Sequence, residues 1–366
     1  MKNKPVLALM LIVALSISLV SRVQSVKASS KTITVPDDYP TIESAITNAN
    51  DGDIIFVKKG VYVENPVVNK SISLVGEDRA STVIDVTAGL KVEKDNVTIS
   101  GFTIYDGWQG ITVSANYSKI SNNKITNTQY GIVLLSSQNC TITENLLQSI
   151  GLSAAIQLSY SNNNLIKNNY IESCTEGIQL RAGSSNNMIV ENVIADCQYV
   201  AVRLLAEYSP PKWYNPNGNT IMRNNISNSG CGTTVYGSSN NIISNNNYVN
   251  NTIQFSANED YYLTLGGSRS INTISHNYWS DYNGTDANGD GIGDTSYIID
   301  ENNKDQYPLI KPVAIPELPD GAGKNGAGDA EPFPTWLFVA VSVVFVAVIA
   351  VGLLLVHFKK QKSKVE

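Results

Sequence analysis

The chain is short of the residues that most often carry chemistry. Its 366 residues include two histidines, four methionines and four cysteines, and 16% are charged. Copper takes imidazole, thiolate or thioether ligands, yet no His-x-His element and no methionine-rich run occurs. His357 sits at the end of a terminal apolar run, His276 stands beside a repeated asparagine, and Met188 and Met222 are the methionines beyond the first ten residues. No copper site is evident. A basic surplus is also missing. The formal charge is −6, and without the two chain ends 18 basic residues face 31 acidic ones, a balance of −13. Such a surface repels polyanions, so nucleic acid is not an expected partner. It attracts divalent cations.

What the chain has instead is a repeat. An Ile-x-x-Asn step recurs as Ile120-Ser-Asn-Asn123, Ile142-Thr-Glu-Asn145, Ile166-Lys-Asn-Asn169, Ile189-Val-Glu-Asn192, Ile221-Met-Arg-Asn224, Ile242-Ile-Ser-Asn245 and Ile274-Ser-His-Asn277. Between these steps lie Gly110-Ile-Thr-Val113, Gly131-Ile-Val-Leu134, Ala155-Ile-Gln-Leu158, Gly177-Ile-Gln-Leu180 and Ala201-Val-Arg-Leu204. A period of roughly 20–30 residues built from short β-branched runs and polar turns means a solenoid. The runs are too short for helices and alternate with period two. One coil per repeat predicts an all-β, right-handed parallel β-helix, with the asparagines stacked about 4.8 Å apart in a ladder. Cys174 and Cys197 hold one phase in consecutive repeats. They suit a disulfide or a pair of small buried residues, as Thr128 and Ser229 are in other coils; we favour the second. Seven Asn-x-Ser/Thr sequons, beginning with Asn69 and Asn96, carry little weight in so Asn-rich a chain.

The ends suggest an anchored surface protein. Residues 1–28 read as a signal peptide, with Lys2 and Lys4 before an apolar stretch and Val26-Lys-Ala28 as a cleavage site. Residues 29–270 form the β-helix with an N-terminal capping helix, and 271–312 a C-terminal cap with an acidic loop. Residues 313–334, rich in Pro, Gly and Ala, read as a flexible linker. Residues 335–358 are uncharged and apolar, long enough for one transmembrane helix. The basic tail 359–366 places the cytoplasm there, and the bulk of the chain outside a cell membrane crossed once.

Two segments carry a family resemblance. Thr32-Ile-Thr-Val-Pro-Asp-Asp-Tyr-Pro-Thr-Ile-Glu-Ser-Ala-Ile46 puts Thr41 where it can cap a short helix whose Ile42, Ala45 and Ile46 share one face. With Gly52-Asp-Ile-Ile-Phe-Val57 and Ser71-Ile-Ser-Leu-Val-Gly76 it resembles the opening of pectin-lyase-like β-helices. Asn277-Tyr-Trp-Ser-Asp-Tyr282, Asp286-Ala-Asn-Gly-Asp-Gly-Ile-Gly-Asp294 and Asp305-Gln-Tyr-Pro-Leu309 are similar to the closing segment of NosD-like proteins. That family is named for a periplasmic β-helix protein that helps mature the copper sites of nitrous oxide reductase. The resemblance therefore implies an accessory role in copper-enzyme maturation, for which the soft ligands are missing.

The acidic loop is the metal candidate. Asp286, Asn288, Asp290, Ile292 (through its carbonyl) and Asp294 have the 1, 3, 5, 7, 9 spacing of a calcium loop, with Gly291 at position 6. Position 12 is Tyr297, so Asp300 or Asp281 would have to supply the remaining ligand. Residues 281–305 hold seven acids against one Lys. We expect a structural calcium ion.

The ligand candidate lies on the other strands. In Gly-Ile-x-Leu the x residue points outward, so Thr112, Val133, Gln157, Gln179 and Arg203 should form one exposed row, with Arg181 a step along. A loop carrying Trp213 emerges just after the row and should overhang it. Planar amides, guanidinium and aromatic rings suit a polysaccharide or cell-surface glycan. The expected function is a binding or scaffolding module for carbohydrate. The alternative is a polysaccharide lyase or hydrolase on the same fold using Glu176 and Glu207, since fold does not settle function.

Overall fold

The structure, a computed structural model, describes residues 30–257 and 269–315. The expected signal peptide, transmembrane helix, basic tail and all but the start of the linker lie outside the described residues. Among the described residues no helix is long and apolar enough to cross a membrane.

Each coil gives one strand to each of three sheets, as Lys119–Ser121, Lys124–Thr126 and Tyr130–Leu135 do in one coil. Among the described residues the first, second and third sheets hold 13, 10 and 9 strands. Strands of successive coils pair in parallel, with Ile120 opposite Ile142 and Ile142 opposite Ile166. Among the described residues, antiparallel pairing occurs in two hairpins, Glu207–Ser209 with Lys212–Tyr214 and Tyr297–Ile298 with Lys304–Asp305, and in a single bridge between Ile292 and Leu309. The outcome is an all-β, right-handed-type solenoid of about ten turns.

The repeat builds its corner in three steps. The isoleucine of each step points into the core, and Ile120, Ile142, Ile166, Ile189 and Ile221 are fully buried. Two residues on, the chain turns through a left-handed residue at Asn122, Glu144, Asn168, Glu191, Arg223, Asn245 and His276. The ladder asparagine follows. Asn145 shows the pattern: its backbone N–H and side-chain amide donate to Asn169 Oδ1 at 3.1 and 3.0 Å, and the same amide donates to Ile120 O at 2.9 Å. The column runs through Asn123, Asn145, Asn169, Asn192, Asn224, Asn246 and Asn277, each buried.

One member differs from the sequence reading. The ladder residue is Asn246, not Asn245, and the core isoleucine of that coil is Ile243, not Ile242. Ile242-Ile243 and Asn245-Asn246-Asn247 allow two registers, and a slip of one residue exchanges inside and outside. With Ile243 inward, Asn245 takes the left-handed corner at φ 55.

A second ladder lies on the opposite edge of the first-sheet strand. Asn164, Asn187, Asn219 and Asn241 each donate through the side-chain amide to the next oxygen, the last to Asn272. Each stands two residues before a core isoleucine, so the full repeat is Asn-x-Ile-x-x-Asn. Cys140 occupies an earlier rung, where its N–H donates to Asn164 Oδ1 at 2.8 Å. At the corner between the second and third sheets, Cys174 and Cys197 are buried and free. The Cys197 N–H donates to Ser229 Oγ at 3.1 Å, so these thiols are rungs as well.

Both ends of the core are covered. At the start, helix Ile42–Asn48 is capped by Thr41 in a capping box with Ser44, and it buries Ile42, Ala45 and Ile46. Glu64 accepts from the backbone of Ile42 and Glu43 at 3.0 Å each, which satisfies two orphan donors of the first turn. At the far end the aliphatic column of the second sheet becomes aromatic. Tyr248 stacks on Trp279 at 4.4 Å, and Trp279 on Tyr297 at 4.3 Å.

Candidate functional site

The outer face of the third sheet brings most of the expected ligand residues together. Thr112, Val133, Gln157, Gln179 and Arg203 are register partners in successive coils, continued by Thr234. Arg181 lies two residues beyond Gln179 and points the same way by strand alternation. The face is wider than a simple alternation suggests. A Cβ on Gly177 would meet the core side chain of Ile194 at 2.6 Å, so Gly177 and Ile178 both face inward. This local irregularity turns Glu176 outward beside Gln179.

The row is not exposed as expected. Gln157 and Gln179 each retain 7% of their accessible surface. Strands about 4.8 Å apart stack long side chains against one another, and neighbouring polar groups close over them. Glu176 is the clasp. One of its oxygens accepts from Gln179 Nε2 at 2.9 Å and the other from Arg203 Nη2 at 2.8 Å. Ser153 Oγ donates to Gln157 Oε1 at 3.4 Å.

Aromatic side chains line both margins. On the side where the strands begin, Trp108 leans on Tyr130 at 5.9 Å, and Tyr199 is exposed one coil beyond Glu176. On the other side the Glu207–Tyr214 hairpin leaves the third sheet. Its base is fixed by an ion pair between Arg181 Nε and Glu207 Oε1. Tyr214 meets Tyr160 edge-on at 5.5 Å, and Tyr208 lies 5.1 Å from the half-buried Trp213. The hairpin thus borders the Arg181 end of the face. The sequence reading noted Trp213 but missed Trp108, Tyr130 and Tyr160. Their signal was an aromatic residue at the edge of the strand: Trp108 just before one, Tyr130 opening the next, and Tyr160 just after a third.

The two candidate acids, Glu176 and Glu207, are each engaged by an arginine. As arranged, the face holds two balanced ion pairs, not a pair of bare carboxylates.

The acidic loop is a separate structure at the end of the solenoid. Gly291 has φ 87, the sharp turn expected at position 6. Asp286 accepts from the backbone of Gly289, Asp290 and Gly291 at 2.8, 3.1 and 3.0 Å. Asp290 accepts from Ile292 N and Asn288 Nδ2, and Asp294 from Ala287 N and Thr285 Oγ1. Ile292 bridges Leu309. The carboxylates thus order the loop's own amides.

Asp305 opens one of the closing motifs quoted above, but the sequence reading gave it no role. It is fully buried and ends the first ladder. Its Oδ2 accepts from Asn277 N, Asn277 Nδ2 and Trp279 Nε1 at 2.8, 3.1 and 3.1 Å, and its Oδ1 from His276 N and Tyr307 N at 3.0 Å each.

Three parallel sheets joined by polar ladder corners define a pectin-lyase-like β-solenoid. Within that class the chain belongs to the NosD family: the model described as periplasmic copper-binding protein (NosD) matches residues 28–284. A stretch of 134 residues is 34% identical to the cell surface glycoprotein of Methanothermus fervidus, covering 34% of this chain and 21% of that protein. The chain therefore spans about a fifth of the length of the curated relative it matches. Among solved structures, a mannuronan C-5 epimerase A-module from Azotobacter vinelandii superposes with a TM-score of 0.53 at 14% identity, over 64% of this chain and 81% of that one. A second such module from the same organism gives 0.49 at 14%, over 64% and 80%. At 14% identity the first of these likenesses is one of fold.

The copper in the family's description finds no matching donor set among the described residues. Among the described residues no group of three or more His, Cys, Asp or Glu side chains gathers where it could hold a metal ion. His276 is stacked on Tyr307 at 5.2 Å. The four thiols are buried, and burial pushes Cys174 up to about 11 and Cys197 up to about 12, away from the thiolate a metal needs.

Proposed function

We propose that this is a cell-surface protein whose solenoid binds carbohydrate along the outer face of the third sheet. The observation that carries the reading is a polar row of Gln157, Gln179 and Arg203, clasped by Glu176 and bordered by Tyr160–Tyr214 on the hairpin side, with Trp108–Tyr130 beside the earlier members of the row, Thr112 and Val133. Planar hydrogen-bonding groups between aromatic rings match the hydroxyls and C–H faces of a sugar. The surface location is supported by a relative named as a cell surface glycoprotein and by the family's periplasmic description. In this reading residues 335–358 anchor the chain in the membrane and leave the solenoid outside. Arg181 and Trp213 edge the ligand on the hairpin side.

A glycan array probed with the full chain tests the reading. Binding should appear, and Trp213→Ala should weaken it by about 1–2 kcal/mol, the scale of a lost aromatic contact. A blank array would sink it. Shortening of a polysaccharide that stops with Glu176→Gln or Glu207→Gln would replace it by the lyase or hydrolase reading.

We also propose that the 286–294 loop holds a structural calcium ion: its three carboxylates do not converge as arranged, and on binding they would turn from the loop amides to the cation. Calcium should then raise the melting temperature by mass action. Asp290→Ala should abolish the rise, and identical melting curves in calcium and in chelator would leave the loop as a turn only.

A further inference from the structure

Two polar atoms on the third-sheet face have no hydrogen-bond partner in the protein, although both are buried: Gln179 Oε1 and Arg203 Nε. The two side chains are register partners on adjacent strands, and such strands lie about 4.8 Å apart. Glu176 fixes both. It takes Gln179 Nε2 with one oxygen and Arg203 Nη2 with the other, which sets the amide and guanidinium orientations. What each side chain then leaves over is complementary. Gln179 offers an acceptor and Arg203 a donor.

We propose that this pair is the recognition point for a neutral, polyhydroxylated sugar, one hydroxyl of which, as the side chains covering the pair shift outward, donates to Gln179 Oε1 and accepts from Arg203 Nε. The inference rests on the carbohydrate reading above and narrows it to a ligand class. A hydroxyl is donor and acceptor at once and satisfies both atoms. A uronate carboxylate is acceptor only. It would serve Arg203 but leave Gln179 Oε1 unmatched. Charge points the same way. Arg203 is paired with Glu176 and Arg181 with Glu207, so the two arginines at the pair are balanced by carboxylates, and the row's exposed Lys91 stands four coils away from Gln179. The net charge of −6 opposes acidic polymers at longer range. The tilted Tyr208–Trp213 pair on the hairpin adds ring surface for the C–H face of a hexose, and the Trp108–Tyr130 pair lies two to three coils before Gln179.

Titration calorimetry on the full chain separates the outcomes. The probes are neutral gluco- and manno-oligosaccharides set against oligomannuronate and oligogalacturonate. Neutral oligosaccharides should bind and oligouronates should not. Gln179→Met removes the acceptor at similar volume, and Arg203→Lys removes the Nε donor while keeping the charge beside Glu176. Each should weaken neutral-sugar binding by about tenfold or more, with melting temperature recorded alongside. If one variant fails to fold, the other carries the test. Oligouronates binding as well as neutral sugars would overturn the ligand class and leave carbohydrate binding standing. Neutral sugars binding both folded variants as tightly as the unaltered chain would overturn the recognition point. Binding of neither class would overturn the carbohydrate reading itself.

Discussion

Replacing Asp305 by asparagine changes no shape and should still loosen the end of the solenoid. The carboxylate accepts five hydrogen bonds, three at Oδ2 and two at Oδ1. An amide has one oxygen. If that oxygen serves Asn277 and Trp279, its NH2 faces the N–H groups of His276 and Tyr307, donor against donor. Two partly buried donors left unmatched cost roughly 1 kcal/mol each, at the low end for such groups. The three remaining bonds lose their charge assistance, about 0.5–1 kcal/mol apiece. Asp305→Asn should therefore destabilise by about 4 kcal/mol. Coils contact only their neighbours, so the loss should be local. Hydrogen exchange should accelerate first at the amides of Asn277 and Asn246, while those near Asn123 keep their protection. Glu301→Gln is the control, because its pair with Arg269 at 3.1 Å is solvent-exposed and should matter by less than about 1 kcal/mol. If Asp305→Asn costs less than about 1 kcal/mol and Asn277 stays protected, the carboxylate is not the end of the ladder.

Three further outcomes are expected. Asn169→Leu should cost roughly 2–5 kcal/mol in urea unfolding, because it strips the acceptor from Asn145 N and the side-chain donor from Ile142 O; an unchanged midpoint would show the ladder to be ornamental. The native protein should not react with a thiol reagent at pH 8, since burial pushes Cys174 and Cys197 far above that pH, and all four thiols should react once urea exposes them. Hydrogen bonds from the backbone N–H groups of Asn50 and Lys31, at 2.8 and 2.9 Å, hold the Asp53 carboxyl below its ordinary value. A depressed acid contributes stability at neutral pH and loses it as pH falls through the folded value, so the melting temperature should drop below about pH 4, and Asp53→Asn should flatten that slope.

The fold was legible because a solenoid writes the same environment into the chain many times. An isoleucine pointing inward and an asparagine three residues later repeat until chance is excluded, and Thr41 marks the capping helix by side-chain chemistry alone. Legibility failed where one coil is ambiguous within itself. Ile242-Ile243 and three consecutive asparagines fit two registers, and only pairing with Asn224 and Asn277 chooses Asn246. The second ladder was hidden by its mixed occupancy, with Cys140 and Asn164 doing one job in different chemistry. At the outer face, strand alternation placed Gln157, Gln179 and Arg203 in one row. It could not show their burial, because that depends on Glu176, which reaches Arg203 across the coils. Asp305 was unreadable for a related reason. Nothing nearby in sequence says that it stands where an eighth asparagine would.

The ladder also has a direction. Every rung from Asn123 to Asn246 passes its amide hydrogen to the oxygen of the following coil, so the side-chain dipoles align head to tail. The first oxygen receives the N–H of Phe102, and the last hydrogen is taken by Asp305. Translation by one coil maps the interior of such an array onto itself. A coil could be duplicated or deleted between Asn145 and Asn246 with every rung still matched, whereas no coil can be appended after an anion that only accepts. Growth of this architecture by internal repetition is therefore chemically easy, while its two ends are each a single solution that must be inherited whole.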